Sequence, residues 1–148
     1  MIVVANKSGH RYSEKAIKKA ARAIFYILNV PDGYLLEINL VDVLTMSRLN
    51  KKFRGKSRAT TVLSFAGGGF LAGRQRILGE IYLCPRLIFE QIPPVYVAAG
   101  DKQAYLMYYL AHGILHLRGF DHESSSCGRR RMERFEKRIF QSISRRVG

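Results

Sequence analysis

Three of the four histidines in this 148-residue chain fall within one short run, His112-Gly-Ile-Leu-His116-Leu-Arg-Gly-Phe-Asp-His122. On a helix, residues four apart lie one above the other, so His112 and His116 point from the same face and can both reach one ion about 2 Å from each ring nitrogen. Gly119 lets the chain turn back, which brings His122 in from the other side. Three neutral imidazoles with a fourth position open for water is the pattern of a catalytic rather than a structural zinc site. Zinc lowers the pKa of bound water from about 16 toward 7 and polarises a phosphoryl or carbonyl oxygen, so hydrolysis is the reaction class implied. Asp121 is placed to accept the second N–H of a ligand histidine. Cys127, five residues beyond His122, is a possible fourth ligand that would close the site and make it structural.

The same spacing is that of the metzincin peptidases, H-x-x-x-H-x-x-G-x-x-H, which carry a Glu directly after the first histidine as general base. Here that position is Gly113. A zinc metallopeptidase therefore stays open only as a minor alternative.

The elements that must position these residues follow from periodicity. Gln103 to Leu117 reads as a buried helix, and Glu123 to Ser144 as a second, Arg-rich helix with Arg129, Arg130, Arg131, Arg134, Lys137 and Arg138 partly offset by Glu133 and Glu136. Ser13 caps a helix of about four turns whose apolar face is Ile17, Ala20, Ala21, Ile24, Ile27 and Leu28. A short helix spans Thr45 to Phe53. Strands are expected at Ile2 to Ala5, Tyr34 to Asp42, Thr60 to Phe65 and Gly79 to Cys84, with the four glycines between Ala66 and Gly73 forming a mobile loop or hairpin tip. The interleaving lacks the regular spacing of a doubly wound fold. An α+β fold is expected: a small mixed β-sheet of about four strands covered by helices, with the metal site at the C-terminal end of a buried helix. One domain over residues 1–148 is the expectation at this length.

The 25 Lys and Arg against 11 Asp and Glu leave a net charge of +14, which draws polyanions. No stretch approaches the roughly 20 apolar residues of a membrane span, and Cys84 and Cys127 form no C-x-x-C pair. A cytoplasmic location, no membrane and RNA or DNA as the expected company follow from this reading.

The run HGILHLRGFDHE resembles the signature of the YbeY family of bacterial rRNA-maturation endoribonucleases. So do Met46-x-x-Leu49-Asn50-x-x-Phe53-Arg54-Gly55-Lys56, Thr60 to Phe65, Leu78 to Ile81, and Met132 with Glu136. The resemblance covers about residues 34 to 140. It implies an α+β fold, one divalent metal per chain, zinc first, held by His112, His116 and His122, and single-stranded RNA cleavage in 16S rRNA 3′-end processing and ribosome quality control, with the ribosomal small subunit as partner. It also makes Arg54 a catalytic residue beside His112 and His116, a guanidinium able to clamp a phosphate bidentately, with Lys56 and Arg58 adding RNA affinity. Either water or the ribose 2′-hydroxyl serves as nucleophile on this reading. Thr61 stands where the family usually has Asp or Asn, and Ala66 replaces its usual Pro. A ribosome-associated RNA-binding assembly factor with a structural metal is the alternative these departures keep open.

Overall fold

Alternation along the strands sorts apolar side chains onto two faces of one sheet. The computed structural model describes residues 1–67, 70–71, 75–91, 101–119 and 126–147, with the side chains of 70–71, 75, 126 and 143–147 left aside. In chain order the elements are β1 (Ile2–Asn6), α1 (Glu14–Ile27), β2 (Tyr34–Leu40), α2 (Val43–Arg54), β3 (Val62–Ala66), β4 (Phe70–Leu71), β5 (Gln75–Leu83), α3 (Pro85–Glu90), α4 (Lys102–Leu117) and α5 (Ser126–Val147).

The sheet runs β1-β2-β5-β3, with β1, β2 and β5 parallel, β3 antiparallel to β5, and the two-residue β4 pairing antiparallel to the start of β5. This is the mixed, roughly four-stranded sheet expected from the sequence, carried within an α+β arrangement. Leu36, Ile38, Leu40, Ile81 and Leu83 project from the face covered by α1, α4 and α5, where Ile17, Ile24, Leu106, Leu110, Ile114 and Ile139 meet them in the main core. On the other face Val41, Met46, Leu63 and Cys84 form a smaller cluster beneath α2, with Phe65 and Tyr82 packed against it. Glu37 and Asn39 of β2 lie off the main core and are half-buried rather than fully exposed.

Several boundaries shift for identifiable reasons. Asp42 is not the end of a strand but the N-cap of α2, its carboxylate accepting from the Thr45 amide at 2.8 Å, so the helix begins at Val43. The β5 strand starts at Gln75, four residues before the expected Gly79, because pairing with β2 continues through an irregularity between Leu35 and Leu36. β3 and the short β4 each pair antiparallel to β5, while Gly68, Gly69 and Gly73, on which the expected loop or hairpin tip falls, lie outside the described residues. The helix α3 carried no apolar periodicity; Pro85 at its first turn, a position that needs no amide donor, is its start signal. Among the described residues no helix is long and apolar enough to cross a membrane.

Candidate active site

Helix α4 starts at Asp101, whose side chain accepts from the Ala104 amide at 3.0 Å. Its residues Leu106, Met107, Leu110, Ala111, Ile114 and Leu115 are buried at the 3.6-residue period, which leaves His112 and His116 half-buried on the flank. Gly113 faces the sheet. A Cβ built there would lie 3.0 Å from Ser64 Oγ and 3.2 Å from two carbons of Ile81, a tight fit that a larger residue could make only if these side chains shifted by a few tenths of an ångström. Ser64 Oγ donates to the Gly113 carbonyl at 3.2 Å and fastens the helix to β3.

The two imidazoles face each other with their Nε2 atoms 3.0 Å apart and ring planes at 69°. Behind them, His112 Nδ1 lies 2.7 Å from Glu136 Oε1, and Tyr108 donates its hydroxyl proton to Glu136 Oε2 at 3.3 Å. Glu136 is only 2% exposed and His112 21%. A buried carboxylate next to Nδ1 holds the ring proton on that nitrogen and leaves the Nε2 lone pair facing His116 Nε2. Two ligands about 2.05 Å from a tetrahedral zinc stand about 3.3 Å apart, so the pair is spaced as two ligands of one small divalent ion. Histidine donors backed by a carboxylate fit such an ion.

These rings open onto a cleft of about 830 Å³. One wall is the end of α2 and the basic turn after it, with Arg54, Lys56 and Arg58; the other follows β3, from Thr60 to Ser64 with Ala66. The turn is shaped by two devices. Gly55 takes a left-handed conformation at φ 71 and its amide bonds back to Lys51 O at 3.1 Å, ending the helix. Asn50, 3% exposed, donates from Nδ2 to the Arg58 carbonyl at 2.8 Å, while the Lys56 amide reaches the Asn50 carbonyl at 3.4 Å. Thr61 is half-buried in the cleft wall and uses its carbonyl to accept from the Cys84 amide at 3.0 Å. The described residues lining the cleft include no carboxylate, so among them a polyanion meets cations and neutral dipoles.

The chain thus brings His112, His116, Arg54, Lys56 and Arg58 to one cleft. His122 and Asp121 lie outside the described residues, as do Phe120 and Glu123 to Ser125. Among the described residues no three His, Cys, Asp or Glu side chains come together to hold a metal. Cys127 is exposed at the start of α5. Glu136, read from the sequence as an offset on a solvated basic face, is instead turned inward onto His112; its signal was its helical phase with Met132, Ile139 and Phe140, all buried. Asn50 was visible only as a motif letter, and its role as a strut for the basic turn needed the fold.

Residues 3–144 match the family model described as Endoribonuclease YbeY. Among curated proteins, the chain is similar to the Endoribonuclease YbeY of Geobacter metallireducens, 32% identical over 97% of this chain and 96% of that protein. It is also similar to the protein of that name from Buchnera aphidicola, 32% identical over 76% of this chain and 64% of the relative, so there the chain spans less than two thirds of the relative's length. Among solved structures it is similar to a solution structure of a Thermotoga maritima protein, with a TM-score of 0.61 and 26% identity over 97% of this chain and 89% of that one.

Proposed function

The chain belongs to the YbeY endoribonuclease family, and from that premise we propose that residues 1–148 form one metal-dependent endoribonuclease domain that cuts RNA in the cleft between the basic turn and α4. The observation that carries the reading is the facing pair of Nε2 atoms, 3.0 Å apart on the wall of a cationic cleft, with a buried carboxylate behind the first ring. His112 and His116, with His122, hold one divalent ion, zinc first. When bound, that ion supplies Lewis acidity toward a phosphoryl oxygen and a water acidified toward neutral pH.

The other work is done by the chain itself. Glu136 keeps the His112 proton on Nδ1 and so keeps Nε2 available. Arg54, exposed at the end of α2, presents its guanidinium fork to the phosphate and offsets charge that grows on the oxygens during phosphoryl transfer. Lys56 and Arg58 hold flanking phosphates, and Asn50 fixes the turn that carries them. On this reading the substrate is a single strand of ribosomal RNA, and the role we propose is 16S rRNA 3′-end maturation and ribosome quality control at the small subunit, in the cytoplasm.

Elemental analysis run beside an RNA-cleavage assay tests this on wild type, His116→Ala and Arg54→Glu. One divalent ion per chain is expected, with cleavage lost in both variants and metal lost in the histidine variant alone. Metal-loaded wild type that binds RNA without cutting it overturns the enzyme; wild type without metal overturns the site.

A further inference from the structure

The cleft accounts for three of the cations, yet the chain carries a net +14. Much of the remainder is concentrated on two helices. On α1 the exposed residues Lys15, Lys19 and Arg22 recur at four and three, followed at the next turn by Tyr26, 74% exposed. On α5 the exposed residues Arg130, Arg134 and Arg138 recur at every fourth position with Lys137 beside them. The two helices touch each other and both pack on α4. Glu14 and Glu133 are the exposed acids on these helices, while Glu136 faces inward. None of these cations lines the cleft.

We propose that the joined solvent faces of α1 and α5 form a second RNA-binding surface, an exosite that grips the phosphate backbone of the substrate outside the segment held in the cleft. Spacing of three or four residues sets cations about 4.5–6 Å apart along each helix, a repeat of the same order as that of successive phosphates. Such contacts carry affinity without reading sequence. Tyr26, exposed beside these cations, adds an aromatic ring on which a base can stack.

The two sites are also close enough for one RNA. Glu136, on the inner side of α5, touches His112, so the basic outer side of the same helix stands about one helix diameter, ~10–12 Å, from the histidine pair. A strand that occupies the cleft and then crosses α5 engages both, and its second contact is intramolecular. A lipid surface fits less well, because the apolar faces of α1 and α5, with Ile17, Ile24, Met132 and Ile139, are consumed in the core and leave nothing to insert.

The inference rests on the ribonuclease reading, and the test separates the two. Steady-state cleavage by the metal-loaded protein is measured on a short oligonucleotide that fills only the cleft and on a long structured RNA, for wild type, Arg134→Gln/Arg138→Gln, and that pair combined with Lys19→Gln/Arg22→Gln. All four positions are exposed, so melting temperatures should match wild type. Expected is a KM for the long RNA raised about tenfold in the four-site variant, with kcat on the short substrate unchanged. The plot of log affinity for the long RNA against log salt should flatten by about 0.7 per phosphate contact removed. Unchanged KM and salt slope overturn the exosite, as do equal losses on both substrates. RNA affinity that stays constant while binding to phosphatidylglycerol vesicles falls overturns it in favour of a membrane. If wild type cuts neither substrate, the ribonuclease reading fails, while the change in binding slope still decides the exosite.

Discussion

Replacing Glu136 by Gln asks how much of the histidine pair's affinity for a divalent ion comes from the carboxylate behind it. Glutamine keeps the shape and keeps an oxygen to accept from His112 Nδ1, now at 2.7 Å from the carboxylate, while its amide can donate to the Tyr108 hydroxyl. The substitution therefore removes charge and leaves contacts. A charge-assisted hydrogen bond contributes about twice a neutral one, a difference of about 1 kcal/mol. That corresponds to the low end of the roughly 10- to 100-fold loss seen when an outer carboxylate of a metal site is changed. Zinc affinity should fall about tenfold, or about 1.4 kcal/mol, in Glu136→Gln. In Glu136→Ala neither donor has an acceptor, so the loss should approach about 100-fold, and the metal-free protein should itself lose about 1–3 kcal/mol. The assay is competition of the metal-free protein with a chromogenic chelator at constant pH, beside thermal melts with and without zinc. At saturating zinc the metal-dependent part of the stability should shrink by the same ~1.4 kcal/mol in the Gln variant. A folded Glu136→Gln protein that binds zinc within about twofold of wild type, when His116→Ala has lost it, refutes the reasoning.

Three further outcomes are expected. Asn50→Ala removes the 2.8 Å strut to Arg58 and leaves a part-buried carbonyl without that donor, which should cost about 1 kcal/mol in a denaturant melt and raise KM for RNA more than it lowers kcat; an unchanged KM counts against the turn as a substrate contact. Gly113→Ala puts a methyl group 3.0 Å from Ser64 Oγ and 3.2 Å from Ile81, an overpacking of about 1–3 kcal/mol offset by the ~1 kcal/mol that alanine gains over glycine inside a helix, for a net loss of up to about 2 kcal/mol; adding Ile81→Val should recover part of it, and strictly additive effects would show that the contact does not limit the helix. Glu37, paired in register with Glu80, has its carboxyl pushed above the usual range by burial and then by the Glu80 charge. Since its folded-state pKa lies above the unfolded one, folding carries no penalty below the ordinary carboxylate range, a growing one as pH rises toward the folded pKa, and the full one at neutral pH. Glu37→Gln should thus raise the melting temperature at pH 7 and have an effect that fades below about pH 4; a gain that is flat across pH refutes the cause.

What the sequence disclosed and what it hid divide along the range of the interaction concerned. The pairing of His112 with His116 on one helix, the basic turn and the amphipathic phase of α1 are local, each contained within a few turns of chain, and these stand where local rules put them. The strand order β1-β2-β5-β3 is set by pairings between residues 13 to 43 positions apart in sequence, from Ala66 with Gly79 to Leu36 with Gly79, and no periodicity encodes a partner. Charge misled in the same way. Among the arginines of α5, Glu136 looks like one more counter-ion until the helix is rotated so that Met132, Ile139 and Phe140 face the core, and that rotation carries Glu136 inward with them. A carboxylate accepted into so buried a place must meet a donor there, because an unpaired one is too costly to bury. The arc that turns Glu136 toward His112 leaves Arg130, Arg134 and Arg138 on the opposite side. One helix, read with its correct phase, therefore both supports the histidine pair and presents the basic surface that surrounds it.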